Sequence, residues 1–240
     1  MPFTFAHPAA VLPLRRVLWL PGLVAGALAP DVAYYLPIPG GSEITHSLGG
    51  VFWADLALGI VLLLIGWAVL APLLALAPDG VRARVEVRSG LRVAAWRLAV
   101  SIVVGALTHV VWDAFTHVHG PAVRHWAWLR TSVVGPHRLY NVIGYVSSAG
   151  GLLVLALAAV RWYRLAPAGN PATGLPRRTR TWLGAGFGVT VVLGAAYGLA
   201  DPVSRVSGYD WVRQLLVGMT QGAGVALAAY VAGWYLTRRR

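Results

Sequence analysis

An all-α polytopic membrane bundle of about six transmembrane segments is predicted by three features of this sequence. Several stretches stay apolar over the length of a bilayer, charge is scarce, and the charges present segregate by sign along the chain. Of 240 residues, 58% are hydrophobic and 12% charged, with a mean hydropathy of +0.65. Soluble domains carry about a quarter charged residues, so this chain lacks the charge to cover a water-facing surface. An ordinary soluble enzyme is excluded on that ground, and the absence of cysteine excludes a disulfide-stapled fold.

Crossing a bilayer as a helix takes about 20 mostly apolar residues. The runs Val51–Ala77, Val93–Val111, Val142–Tyr163, Trp182–Ala200 and Val212–Leu236 meet that requirement. An earlier run, Val17–Ala29, is shorter and contains Pro21. Joined to Ala9–Leu14 it makes a sixth span; with Pro8, Pro13 and Pro21 interrupting it, the alternative is a re-entrant hairpin. Arg15-Arg16 ahead of Ala27-Leu28-Ala29 resembles a twin-arginine signal, but Pro30 disfavours cleavage and an uncleaved segment is expected. Residues 1–164 are expected to form a four-span membrane domain and 165–181, rich in Pro, Gly and Arg, a cytoplasmic linker. A pair of transmembrane helices then follows over 182–240. Gly22/Gly26, Gly184/Gly188 and Gly218/Gly222 have the small-xxx-small spacing of close helix contacts.

The formal net charge of +12 comes from 20 arginines with no lysine, and the pI is near 11.2. Such basicity admits a nucleic-acid partner, so the positions decide. With a spanning first segment, one face receives Arg15, Arg16, Arg82, Arg84, Arg88, Arg92, Arg161, Arg164, Arg177, Arg178, Arg180, Arg238, Arg239 and Arg240, which is 14 of the 20. The positive-inside rule makes that face cytoplasmic, together with both termini. The arginines therefore report threading, no nucleic-acid partner is expected, and the bilayer is the expected partner.

Acids and histidines collect on the opposite face. In Gly105-Ala-Leu-Thr-His109-Val-Val-Trp-Asp113-Ala-Phe-Thr-His117 the ionisable groups recur every four residues at the end of an apolar helix. Each step of four turns only about 40° around the axis, so His109, Asp113 and His117 share one stripe if the helix continues regularly. Imidazole and carboxylate on adjacent turns can chelate an ion, and ionisable residues in a span face the bundle interior. Asp31 after Pro30, His46 in Glu43-Ile-Thr-His46-Ser47, and Asp55 nine residues later lie on the same face and are candidates to complete a shell. His7 joins them only if the first segment folds back. His119, His125 and His137 read as a solvated rim; Arg130 and Arg138 beside them are candidates to hold phosphoryl oxygens, since guanidinium matches that geometry.

These residues carry a resemblance. Thr45-His46-Ser47, the Gly105-x-x-x-His109-x-x-x-Asp113-x-x-Thr116 string, an early histidine and Pro30-Asp31 resemble the bacterial YdjM-like family of inner-membrane proteins, classed as metal-dependent hydrolases. The opening Met-Pro-Phe-Thr-x-x-His7-Pro8 is closer to a related uncharacterised multi-pass family of unknown function. The resemblance covers roughly residues 1–160 and implies His7, Asp31, His46, His109 and Asp113 as metal ligands. The usual Pro-Asp-x-Asp-His string is not kept: Val32, Ala33 and Tyr34 follow Asp31, so a second metal would lack one or two ligands.

The expectation is thus a metal-dependent hydrolase in the bacterial inner membrane, cleaving an ester or phosphoester of a lipid-like or lipid-linked substrate at the outer face. Nitrogen and oxygen ligands without sulfur suit zinc first, then manganese or iron. Asp55 or His117 is the expected general base. The rival readings are a non-catalytic scaffold with a structural polar or metal site, and a proton or metal transporter.

Overall fold

The structure is a computed structural model that describes residues 3–36, 40–85, 93–171 and 174–237. Arg88, Arg92 and Arg238–Arg240, which entered the threading argument, lie outside the described residues. The longer helices are α1 (Leu20–Leu28), α2 (Leu56–Leu76), α3 (Ala95–Thr116), α4 (Leu139–Leu165), α5 (Arg177–Ala200) and α6 (Gly208–Thr237). A two-stranded antiparallel hairpin, β1 (Ser132–Val134) and β2 (His137–Arg138), precedes α4. Gly135 turns it at φ 52°, a conformation that glycine adopts without steric cost. Five helical stretches, Leu48–Leu76, Ala95–His125, Leu139–Leu165, Arg177–Ala200 and Asp210–Thr237, are long and apolar enough to cross a membrane.

The sixth expected span is replaced by a hairpin. Nine residues of α1 rise only about 14 Å, half of a bilayer's hydrocarbon core. The prolines explain the fragmentation. Pro8, Pro13 and Pro21 each occupy the first or second position of a separate helical piece: Pro8–Val11, the 3-10 turn Leu12–Arg16, and α1. At those positions the missing N–H has no intrahelical acceptor to lose. The chain reverses at Val17–Trp19, where Trp19 is extended, and α1 runs back against the outward arm, residues 4–16. Val11 thereby packs on Leu23 and Ala27, and Ala27 reaches His109, one turn from the Asp113 that meets His7. The reversal is tied to the start of α3. The Trp19 N–H donates to Ser101 Oγ at 3.0 Å, and Arg97 Nη2 donates to the Val17 carbonyl at 3.3 Å.

The return arm packs directly on α3. A Cβ at Gly26 would fall on the Ile102 carbonyl, and one at Gly105 on the Leu23 carbonyl, so the two backbones touch. This is the contact that the Gly22/Gly26 spacing anticipates. Val11, Leu23 and Ala27 form the buried apolar cluster, with Leu14, Leu18, Val24 and Val104 against it.

Two compact units divide the chain: Met1–Trp67 with Glu86–Ala166, and Ala68–Val85 with Pro167–Arg240. The second therefore takes Ala68–Val85 as well as the C-terminal helices. Within it, α5 and α6 meet at Gly194, Gly198, Gly218 and Gly222, where added Cβ atoms would strike facing backbone. Gly184 and Gly188, expected at a contact, face open space. Pro72 lies inside α2 and cannot donate to the Ala68 carbonyl one turn earlier. The Tyr235 hydroxyl supplies that donor at 2.8 Å, and the Tyr230 hydroxyl donates to the Pro72 carbonyl at 2.8 Å.

Candidate metal centre

The first unit gathers the chemistry-bearing residues from four places in the chain. The outward arm contributes His7 and the residue just beyond α1 contributes Asp31. The turn before α2 contributes His46, and α3 contributes His109 and Asp113, one helical turn apart. Asp31 and His46 are brought together by a short clamp, in which the Thr45 hydroxyl donates to the Pro30 carbonyl at 2.8 Å. Ser47 fixes the other flank of His46. Its Oγ accepts from the Gly50 N–H at 2.9 Å and donates to the Ile44 carbonyl at 2.7 Å. Gly50 lies so close to Ile44 that a Cβ there would fall on its carbonyl.

Asp31, His46, His109 and Asp113 each offer one ligand atom, all within 4.8 Å of one another. Nitrogen and oxygen alternate around the group. His46 Nε2 is 3.6 Å from Asp31 Oδ1 and 3.4 Å from Asp113 Oδ2; His109 Nε2 is 3.4 Å and 3.6 Å from the same two atoms. His7 stands at the edge, its Nε2 3.3 Å from the other Asp113 oxygen and its ring stacked on His109 at 3.8 Å. Thr116 Oγ1 lies 3.5 Å from that same oxygen.

The tautomers follow from the outer partners. His109 Nδ1 donates to the Ala27 carbonyl at 2.8 Å, His46 Nδ1 to the Ser42 carbonyl at 3.0 Å, and His7 Nδ1 to the Thr4 carbonyl at 3.2 Å. A carbonyl only accepts, so each Nδ1 carries the proton, and each Nε2 of a neutral ring presents a lone pair to carboxylate oxygens. Lone pairs facing lone pairs in a buried site repel unless a cation lies between them. The buried side-chain atoms without a hydrogen-bond partner among the described residues include both Asp31 oxygens, Asp113 Oδ2, His46 Nε2 and His109 Nε2. Such atoms are costly unless a ligand satisfies them. Two carboxylates balance one divalent ion, and Nδ1 bonded to a backbone carbonyl is the usual outer support of a metal-bound imidazole. The cluster could hold a metal ion.

Asp31 and His46, which lie outside the spans, are coupled to each other through protonation. Burial alone would raise the Asp31 carboxyl, but the attraction of the His109 and His46 imidazoles in their protonated form outweighs it and holds the group well below the usual carboxylate range. Burial would lower His46, yet the Asp113 and Asp31 carboxylates push it up to about 9.

The remaining expected residues fall as follows. Asp55 ends the π-helical turn Val51–Asp55; it is 0% exposed, and neither oxygen has a partner among the described residues. His117 leaves the stripe: α3 stops at Thr116, and His117 turns extended at φ −101°, ψ 139°. Its Nδ1 accepts from the His119 N–H at 3.3 Å, so the four-residue periodicity carries His109 and Asp113 into the cluster but not His117. Arg130 is engaged structurally, donating from Nη1 to the Val123 and Arg124 carbonyls at 2.9 and 2.6 Å. Arg138 is exposed at the start of α4, its N–H held by Asn141 Oδ1 at 3.0 Å. The supporting Ala27, Ser42 and Thr4 carbonyls carry no side-chain signal and are invisible to motif reading. Thr45 was legible only as a neighbour of His46.

Neither the curated proteins nor the solved structures include a match to this chain. The family model described as a domain of unknown function, DUF4184, matches residues 1–232, and the chain belongs to that family.

Proposed function

We propose that this chain is a membrane-embedded metal-dependent hydrolase, with Asp31, His46, His109 and Asp113 as ligands of one divalent ion, zinc by preference. His7 acts beside them, bracing Asp113 through its second oxygen. The observation that carries the reading is the convergence of buried, unpartnered Nε2 and carboxylate atoms within 4.8 Å, each imidazole fixed from behind by a backbone carbonyl. The resemblance to the YdjM-like hydrolases supports the same chemistry.

A bound divalent ion would supply Lewis acidity, lowering the pKa of water and polarising an ester or phosphoester oxygen. Among the chain's own residues, Asp55 is the proposed proton acceptor, being buried and unpartnered. The substrate is a lipid-like or amphiphilic ester, because the site belongs to helices of membrane length. Applied to the arginine-rich loops, the positive-inside rule puts the site at the outer face of the bacterial inner membrane. The N-terminal hairpin then leaves the N-terminus on the outer face with His7, and the C-terminus remains cytoplasmic.

Detergent-purified protein is expected to carry about one divalent ion per chain, lost in folded His109→Ala and Asp113→Ala variants. Folded wild-type protein that takes up no ion on supplementation would sink the metal reading. Ion bound without turnover of any ester would leave a structural site, the scaffold alternative.

A further inference from the structure

We propose that Tyr34 meets the substrate at the open edge of the metal centre, donating a hydrogen bond from its phenolic hydroxyl to an oxyanion of the reacting phosphoryl or acyl group. The proposal rests on the metal reading above and adds to it the residue that faces the ligand.

Among the described residues, the accessible edge of the cluster is at His46. The side chains of His7, Asp31, His109 and Asp113 are at most 5% exposed, whereas that of His46 is 18% exposed. A molecule reaching the ligands from outside must therefore pass His46. Tyr34 stands there: its ring centroid is 5.5 Å from that of His46, tilted by 55°, and the residue is 44% exposed.

The chain fixes this placement. Tyr34 belongs to the helical turn Val32–Tyr35, which starts directly after Asp31. Its neighbour Tyr35 is linked to the outward arm, with hydroxyls of Tyr35 and Thr4 at 3.3 Å. The turn is thus pinned at Asp31 on one side and near His7 on the other.

The chemistry suits an anionic ligand. Two carboxylates repel an incoming oxyanion, so a ligand of that charge needs a donor at the mouth besides the ion. An ordinary phenol, with a pKa of about 10, is a protonated donor throughout the neutral range.

The test uses the full chain in detergent, loaded with Co²⁺ and titrated with inorganic phosphate while the visible cobalt spectrum is followed. Tyr34→Phe keeps the ring on His46 and removes only the hydroxyl. It is expected to bind Co²⁺ with wild-type stoichiometry and spectrum, but to bind phosphate about tenfold more weakly, the loss of one hydrogen bond to a charged group. Equal phosphate affinity in wild type and Tyr34→Phe overturns the proposal. So does weakening confined to Tyr34→Ala, which would assign the ring to packing alone. A wild-type protein that binds no Co²⁺ fails earlier, before phosphate is added, and removes the metal reading together with this one.

Discussion

The His109 imidazole donates through Nδ1 to the carbonyl of Ala27 at 2.8 Å. That bond joins α3 to the return arm of the N-terminal hairpin and orients the His109 Nε2 lone pair toward Asp31 and Asp113. The same packing that seats the hairpin therefore sets the tautomer of a proposed ligand. Four predictions follow from contacts of this kind.

Thr45→Val removes the hydroxyl that clamps Pro30 to the His46 turn at 2.8 Å and leaves a buried carbonyl without that donor. Metal affinity is expected to fall 10- to 100-fold, roughly the cost of losing an outer support. Thr45→Ser, which retains the hydroxyl, should recover most of it. Competition titration against a chromogenic chelator reads both values, and a Val variant with wild-type affinity would contradict the clamp.

In the metal-free protein His46 titrates near 9, above its ordinary 6.5, because the raising effect of Asp113 and Asp31 exceeds the lowering effect of burial. Stabilisation from these pairs is therefore fully present below pH 6.5 and is lost as pH rises through about 9. A bound ion takes the proton's place and removes that loss. With chelator present, Tm should fall between about pH 7 and about pH 9.5, while the loaded protein stays level over that range. Ion uptake at neutral pH should release about one proton from His46, measurable by calorimetry in two buffers of different ionisation enthalpy. Identical pH profiles with and without metal would count against the assignment.

Gly26→Ala drives a methyl group onto the Ile102 carbonyl, whereas Gly184→Ala meets open space. The first should cost about 1–3 kcal/mol by overpacking, and the second should stay within about 0.5 kcal/mol. Thermal unfolding in detergent separates them. Equal effects would mean that the α1–α3 backbone contact is not made.

Tyr235→Phe deprives the Ala68 carbonyl of the donor that replaces the missing Pro72 N–H. The expected cost is about 1 kcal/mol. In a Pro72→Ala background the helix can supply its own N–H, so the same substitution should cost less. A double-mutant cycle measures that coupling; strict additivity would show that the two groups do not share the carbonyl.

The readable part of the site was helical arithmetic. His109 and Asp113 stand four residues apart on an apolar helix, and their shared face follows from 3.6 residues per turn. The same arithmetic misplaced His117, because α3 ends at Thr116, one residue before it. Nothing local marks that stop; the chain leaves the helix to enter the loop before Pro121. For Arg130 the structure adds partners that no motif shows, since its guanidinium holds the carbonyls of Val123 and Arg124, and backbone acceptors leave no trace in a motif.

By itself the sequence determined the membrane-length helices, because 20 apolar residues need no partner to declare themselves. It also determined the proline punctuation of the N-terminal segment, whose rings can start helical pieces but not continue one. The sequence allows those pieces either to run through the bilayer or to double back. Only the tertiary structure decided it, through contacts between residues far apart in the chain: backbone against backbone at Gly26 and Gly105, the Trp19 N–H on Ser101, and His7 against Asp113. Those contacts turn a doubtful sixth span into a hairpin and bring five ionisable residues from four segments to one buried point.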